Sequence, residues 1–118
     1  PPATPIQTVT QRNNLAAAYA AAAVAGAVYT TVPGATAGTE PTGGSPAYAR
    51  KTLSWGSPSN SVVSTAATPF DIPAGTTIVG AGLHTATSSG SYLDGGTVTS
   101  QAFASQGTYT ITFTYTQS

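Results

Sequence analysis

The sequence predicts a mainly β protein: an antiparallel β-sandwich of Greek-key or jelly-roll type, with one short Ala-rich N-terminal helix and an extended Pro-rich N-terminal arm. Three observations carry this. The stretch "TYTITFTYTQS" (108–118) alternates strictly, with Thr108, Thr110, Thr112, Thr114 and Thr116 on one face and Tyr109, Ile111, Phe113 and Tyr115 on the other. A period of two marks a half-buried strand. Short β-branched and aromatic runs recur between Gly, Pro, Asn and Ser turn signals, as in sandwiches. A single alanine-rich run, "NNLAAAYAAAAVAG", stands apart as helical.

Residues 1–12 carry Pro1, Pro2 and Pro5, which fix φ and remove donors, so they are expected to form an extended arm. Residues 13–118 then form one domain. Its helix is expected over about 14–25, with Asn13 or Asn14 as N-cap and Gly26 just past the C-terminus. Strands follow at "AVYTTV", "YARKTLSW", "SVVSTAATPFDI", "TTIVGAGLHTA" and "SYLDGG", the last closing in an Asp-Gly turn. Pro69 marks an edge or a bulge in the third of these. Gly80 and Gly82 share a face where another backbone can come close. The threonine face of the last strand is expected to point outward, and Tyr109, Ile111, Phe113 and Tyr115 inward.

Composition narrows the function. Charged residues make up 5% of the chain, against about 25% in an average domain. Disorder goes with high charge and low hydrophobicity, which this chain lacks. Net charge is zero and only Arg50-Lys51 adjoin, so the clustered cations that nucleic-acid binding requires are missing. Cysteine is absent. No apolar run reaches the roughly 20 residues of a membrane span, and the opening residues lack the order of a signal peptide. A thin core with an uncharged surface favours association with neighbours.

Chemistry is sparse. The chain holds one histidine, His84, and three carboxylates, Glu40, Asp71 and Asp94. A Ser-His-Asp set can be drawn around His84, but no nucleophile-elbow motif supports it. One His and scattered carboxylates lack metal-ligand spacing; carbonyls near Asp94-Gly95-Gly96 leave a weak calcium option. No cofactor is expected, and the protein reads as non-enzymatic.

From "YTTVPGATAGTEPTGGSPAYARKTLSWG" the sequence resembles small virion proteins of tailed bacteriophages, especially of actinobacterial hosts, described as head decoration, minor tail or tail-fibre-like proteins. The resemblance rests on the Thr31–Gly34 turn, a Gly/Thr loop to Glu40, the run Gly43-Gly44-Ser45-Pro46-Ala47-Tyr48-Ala49-Arg50-Lys51, Trp55-Gly56, and "FDIPAGTTIVGAGLHTA" from Phe70 to Ala86. Val32 departs from it, standing where an acidic residue is common. The resemblance implies a non-enzymatic virion structural protein. The expected role is a capsid decoration protein on the outer surface of a phage head, bound to the major capsid protein as a homo-oligomer, by expectation a trimer, without nucleic-acid or membrane partners. Arg12, Arg50 and Lys51 are the expected partner contacts, being the only basic side chains. The alternative is a minor tail or tail-fibre component with a host-surface or carbohydrate-binding role, for which Tyr29, Tyr48, Trp55 and Tyr92 would be stacking aromatics.

Overall fold

A computed structural model describes residues 1–118. One helix, α1 (Val9–Ala22), precedes eight strands: β1 (Ala25–Tyr29), β2 (Lys51–Thr52), β3 (Val62–Ser64), β4 (Thr68–Ile72), β5 (Thr76–His84), β6 (Tyr92–Phe103), β7 (Gly107–Ile111) and β8 (Thr114–Thr116). All pairings are antiparallel. One layer is a four-stranded sheet in the order β2-β1-β5-β6; the other consists of the pairs β3-β8 and β4-β7.

Pairing register explains the architecture. Partners run from Val62↔Thr116 through Phe70↔Tyr109 to Thr76↔Phe103 and His84↔Tyr92. Residues 62–116 are therefore one long hairpin, folded over at Pro73–Gly75 on one strand and Ala104–Gln106 on the other. Gly75 makes its bend at φ +78°, a left-handed conformation that glycine adopts without steric penalty. Its N–H donates to Phe103 O at 2.6 Å and closes the corner. Strand β1 then pairs with β5. A hairpin rolled on itself is the jelly-roll form of the sandwich expected from the sequence.

The core lies between the layers and joins Val28, Phe70, Ile72, Ile78, Ala81, Phe103 and Ile111. A smaller cluster of Ala23, Leu53 and Leu83 sits under α1, with Trp55 and Phe113 against it. The C-terminal alternation divides as its pattern requires. Its five threonines are exposed, Ile111 is buried, and Tyr109, Phe113 and Tyr115 are half-buried. The run is nonetheless two strands. Ala66 and Ala67 stand against Thr112 alone, a bulge that breaks both sides of the ribbon, and Phe113 N–H donates to Thr65 Oγ1 at 3.0 Å.

Several boundaries differ from the sequence expectation, among them "YARKTLSW", which is strand only over Lys51–Thr52. The helix starts at Val9, not near residue 14, because Thr8 is its N-cap and accepts from Gln11 N–H at 3.1 Å. Thr8-x-x-Gln11 has the capping-box spacing. Residues 9–12 of the segment expected to form an arm are thus helical, and Arg12 belongs to the helix. Gly26 is not a helix terminator but a β1 residue, where an added Cβ would sit 2.9 Å from the Phe113 ring. The helix ends at Ala23, whose carbonyl accepts from Trp55 Nε1 at 2.7 Å. Lastly, Asp94-Gly95 is no turn: β6 runs straight through it to Phe103.

The molecule measures 60 × 26 × 25 Å with a radius of gyration of 16.0 Å. A compact chain of this length would have about 13–14 Å. Residues 1–11 are all exposed, consistent with an arm and first helical turn that extend the molecule.

Candidate functional site

Residues 30–50, between β1 and β2, lie over the outer face of the four-stranded sheet. They can do so because β5 presents glycines there. A Cβ on Gly80 would run into Pro33, and one on Gly82 into the Tyr29 ring. Tyr29 is fully buried in consequence. Its Oη shares a 2.5 Å hydrogen bond with Nε2 of His84, itself buried. Tyr92 packs beside both rings and donates from its Oη to Gly34 O at 2.9 Å.

Next to this aromatic trio sits an ion pair. Arg50 donates from Nε to both oxygens of Glu40 (3.1 and 3.2 Å) and from Nη2 to Oε2 (2.9 Å). Its Nη1 reaches the carbonyls of Ala86 (3.2 Å) and Ser89 (2.7 Å) in the β5–β6 turn. Tyr48 donates to Glu40 Oε1 at 2.8 Å and accepts from Val28 N–H at 3.2 Å. A single guanidinium thus ties the 30–50 segment to the β5–β6 turn, and Tyr48 ties the same carboxylate to β1.

The electrostatics follow from burial and contact. Burial alone would push Glu40 up, but the hydrogen bonds from Arg50 and Tyr48 and the Arg50 charge outweigh it and hold the carboxyl below its usual value. The hydrogen bond to Glu40 raises Arg50. His84 is lowered by burial first and by the nearby Arg50 charge second, against Glu40. Tyr29 and Tyr48 are both raised, chiefly by burial. At neutral pH the site is therefore an ionised Glu40–Arg50 pair beside neutral His84 and neutral phenols.

The expected site residues are distributed unevenly. Arg50, Tyr29, Tyr48 and Tyr92 converge here. Lys51 lies one residue away and pairs with Asp71 at 3.3 Å. Trp55 lies on the opposite, interlayer side against Tyr19, and Arg12 is on α1, where its Nη2 donates to Gln7 O at 3.3 Å. Arg50, with Glu40 and two carbonyls as acceptors, does not offer its charge outward. Nor is Tyr29, with no exposed surface, a platform for sugar stacking. His84 bonds to Tyr29 rather than to a serine, so the triad drawn from the sequence is not assembled. The Asp94 carboxylate accepts from Tyr19 Oη at 2.9 Å within the β6 strand, and no group of three His, Asp or Glu side chains comes together.

Sequence reasoning passed over two features. Glu40 is the centre of the clamp, a role signalled only by its being an isolated carboxylate in a loop shared with Tyr48 and Arg50. The second is an interlayer slot of about 370 Å³ between β6 and β7–β8, lined by Tyr19, Gly96, Val98, Phe113 and Tyr115 among others. No known protein family matches this chain, and neither a curated protein nor a solved structure resembles it.

Proposed function

We propose that this chain is a non-enzymatic structural protein of a tailed-bacteriophage virion. In this reading it is a capsid decoration protein that binds the major capsid protein on the outer surface of the head and reinforces the shell. The observation that carries the reading is that every side-chain carboxylate is engaged within the chain. Each carboxylate has a partner in the same chain: Glu40 has Arg50 and Tyr48, Asp71 has Lys51, and Asp94 has Tyr19. What remains outside is a hydroxyl-rich β surface with an extended arm, suited to many weak contacts on a repeating lattice, where avidity replaces a single strong site.

The resemblance to phage accessory proteins supports the same reading. The residues that carry it include Glu40, Tyr48 and Arg50, which hold the 30–50 segment in shape. Arg12 is the one basic residue without a carboxylate partner, and it sits beside the arm; it is the cation best placed to meet an acidic patch on a shell. The test is the copy number of this chain relative to the major shell protein, by quantitative mass spectrometry on separated heads and tails. Abundance near that of the shell subunit, confined to heads, is the expected result. A few copies confined to tails would overturn it in favour of a tail component.

A further inference from the structure

The two layers of the sandwich part along the first half of β6, at Asp94–Val98, and meet again at Thr99, whose carbonyl accepts from Tyr109 Oη at 2.6 Å. On the inner face of this strand stand Asp94, Gly96 and Val98, following the pairing of Asp94 with Leu83 and of Gly96 with Ala81. Position 96 has no side chain, and a Cβ built there would meet nothing within 4 Å. It opens onto the 370 Å³ slot, walled by Phe113 and by the face-to-face pair Tyr19–Tyr115, whose centroids are 3.7 Å apart. Its only ionisable acid, Asp94, already holds the Tyr19 hydroxyl. An uncharged, partly apolar segment can therefore enter without leaving a charge unpaired.

The chain itself carries such a segment. Residues 1–8, "PPATPIQT", have no charged side chain and include Pro2-x-x-Pro5. Every one of them is exposed, and Ile6, at 94%, is the most exposed large hydrophobic residue of the protein. Pro2 and Pro5 lack an N–H, which suits the arm to polyproline-type docking on aromatics rather than to pairing as a strand. Its own slot is out of reach. Thr8 starts the helix about 16 Å along the axis from Tyr19, and Ile6 lies within about 7 Å of Thr8 even when extended.

We propose that this slot receives the N-terminal arm of a second copy of the chain, with Ile6 seated beside the Tyr19–Tyr115 pair. The area is sufficient. An interface residue buries about 30 Å² (about 800 Å² per partner over 20–30 residues), so two arms exchanged reciprocally bury about 1,000 Å² in total, the lower bound for a specific interface. Closed exchange of this kind is isologous and yields a discrete oligomer. The inference stands whether or not the protein coats a phage head.

Sedimentation analysis across the micromolar range tests it with the whole chain. The wild type self-associates, and Ile6→Ser weakens association by about 100- to 10,000-fold, the loss expected from two buried aliphatic side chains, one on each exchanged arm. Gly96→Val, whose Cβ has open space around it and whose methyl groups take up part of the slot, does the same. Val32→Ser removes a 63% exposed apolar side chain elsewhere and leaves association unchanged. A synthetic peptide of residues 1–8 binds the Ile6→Ser protein and perturbs the fluorescence of Trp55, whose ring centroid is 6.3 Å from that of Tyr19; it does not bind Gly96→Val. A monomeric wild type, an Ile6→Ser protein that associates like wild type, or peptide binding that survives Gly96→Val would each overturn the proposal.

Discussion

Replacing Glu40 with Ala removes the common acceptor of three Arg50 hydrogen bonds and one from Tyr48. The size of the effect can be worked out from exposure and contact number. Arg50 and Glu40 side chains are 17% and 25% exposed. An exposed ion pair contributes about 0.2–1 kcal/mol, whereas breaking a fully buried one costs about 3–5 kcal/mol. With three short contacts and most of the surface covered, this pair belongs nearer the buried limit. We therefore expect Glu40→Ala and Arg50→Ala each to lower stability by about 3 kcal/mol, with a coupling energy of about 2 kcal/mol in the double-mutant cycle. Lys51–Asp71 provides the internal comparison: one contact at 3.3 Å between side chains 37% and 27% exposed. Its coupling should stay under about 1 kcal/mol. Urea unfolding at constant m measures both cycles. Amide exchange should accelerate in residues 30–50 and 85–91 of the Glu40→Ala protein, since the guanidinium bridges those segments. Equal coupling in the two pairs, or a Glu40→Ala protein within 1 kcal/mol of wild type, would refute the assignment of Glu40–Arg50 as the clamp.

Three further outcomes are expected. Acid should destabilise the protein in two stages. His84 is lowered in the folded state, so the unfolded chain binds its proton first and stability falls as pH drops below about 6.5; Glu40, also lowered, withdraws its contribution as pH falls further through its folded pKa. Thermal melts against pH should show both stages, and His84→Gln should lack the upper one. At the alkaline end, Tyr19, Tyr29, Tyr48 and Tyr92 are all raised, so stability should fall as pH rises above about 10, with ultraviolet tyrosinate absorbance appearing together with unfolding. Gly82→Ala should cost about 1–3 kcal/mol by forcing the Tyr29 ring off β5, and the His84 ring proton shifts in NMR spectra should move with it.

Much of the fold was legible because the signals were local. Strict alternation over residues 108–116 predicts which side chains turn inward, and the paired Gly80 and Gly82 mark where another segment crosses the sheet. Errors arose where local signals competed. Asn13 and Asn14 are good cap residues, but Thr8 with Gln11 three positions on wins because it captures an amide at the true helix start. Asp94-Gly95 reads as a turn in any short window. It is strand because Gly95 pairs with Gly82 on β5 and packs under Pro33, contacts supplied by residues far away in sequence. The site was half legible. Tyr29, Tyr48, Arg50 and Tyr92 stand out by residue type, but nothing local says that Arg50 turns inward to Glu40 or that Tyr29 meets His84 across 55 positions.

The amino-acid sequence alone determined a nearly uncharged, mainly antiparallel β fold with one helix, because residue periodicity acts within a few positions of the chain. The tertiary structure decided which charges are satisfied and which space is left open. The slot at Gly96 depends on how a hairpin of residues 62–116 folds across itself, and the Glu40–Arg50 clamp on how residues 30–50 lie over β5 and the turn after it; both arrangements are fixed by contacts between segments tens of residues apart.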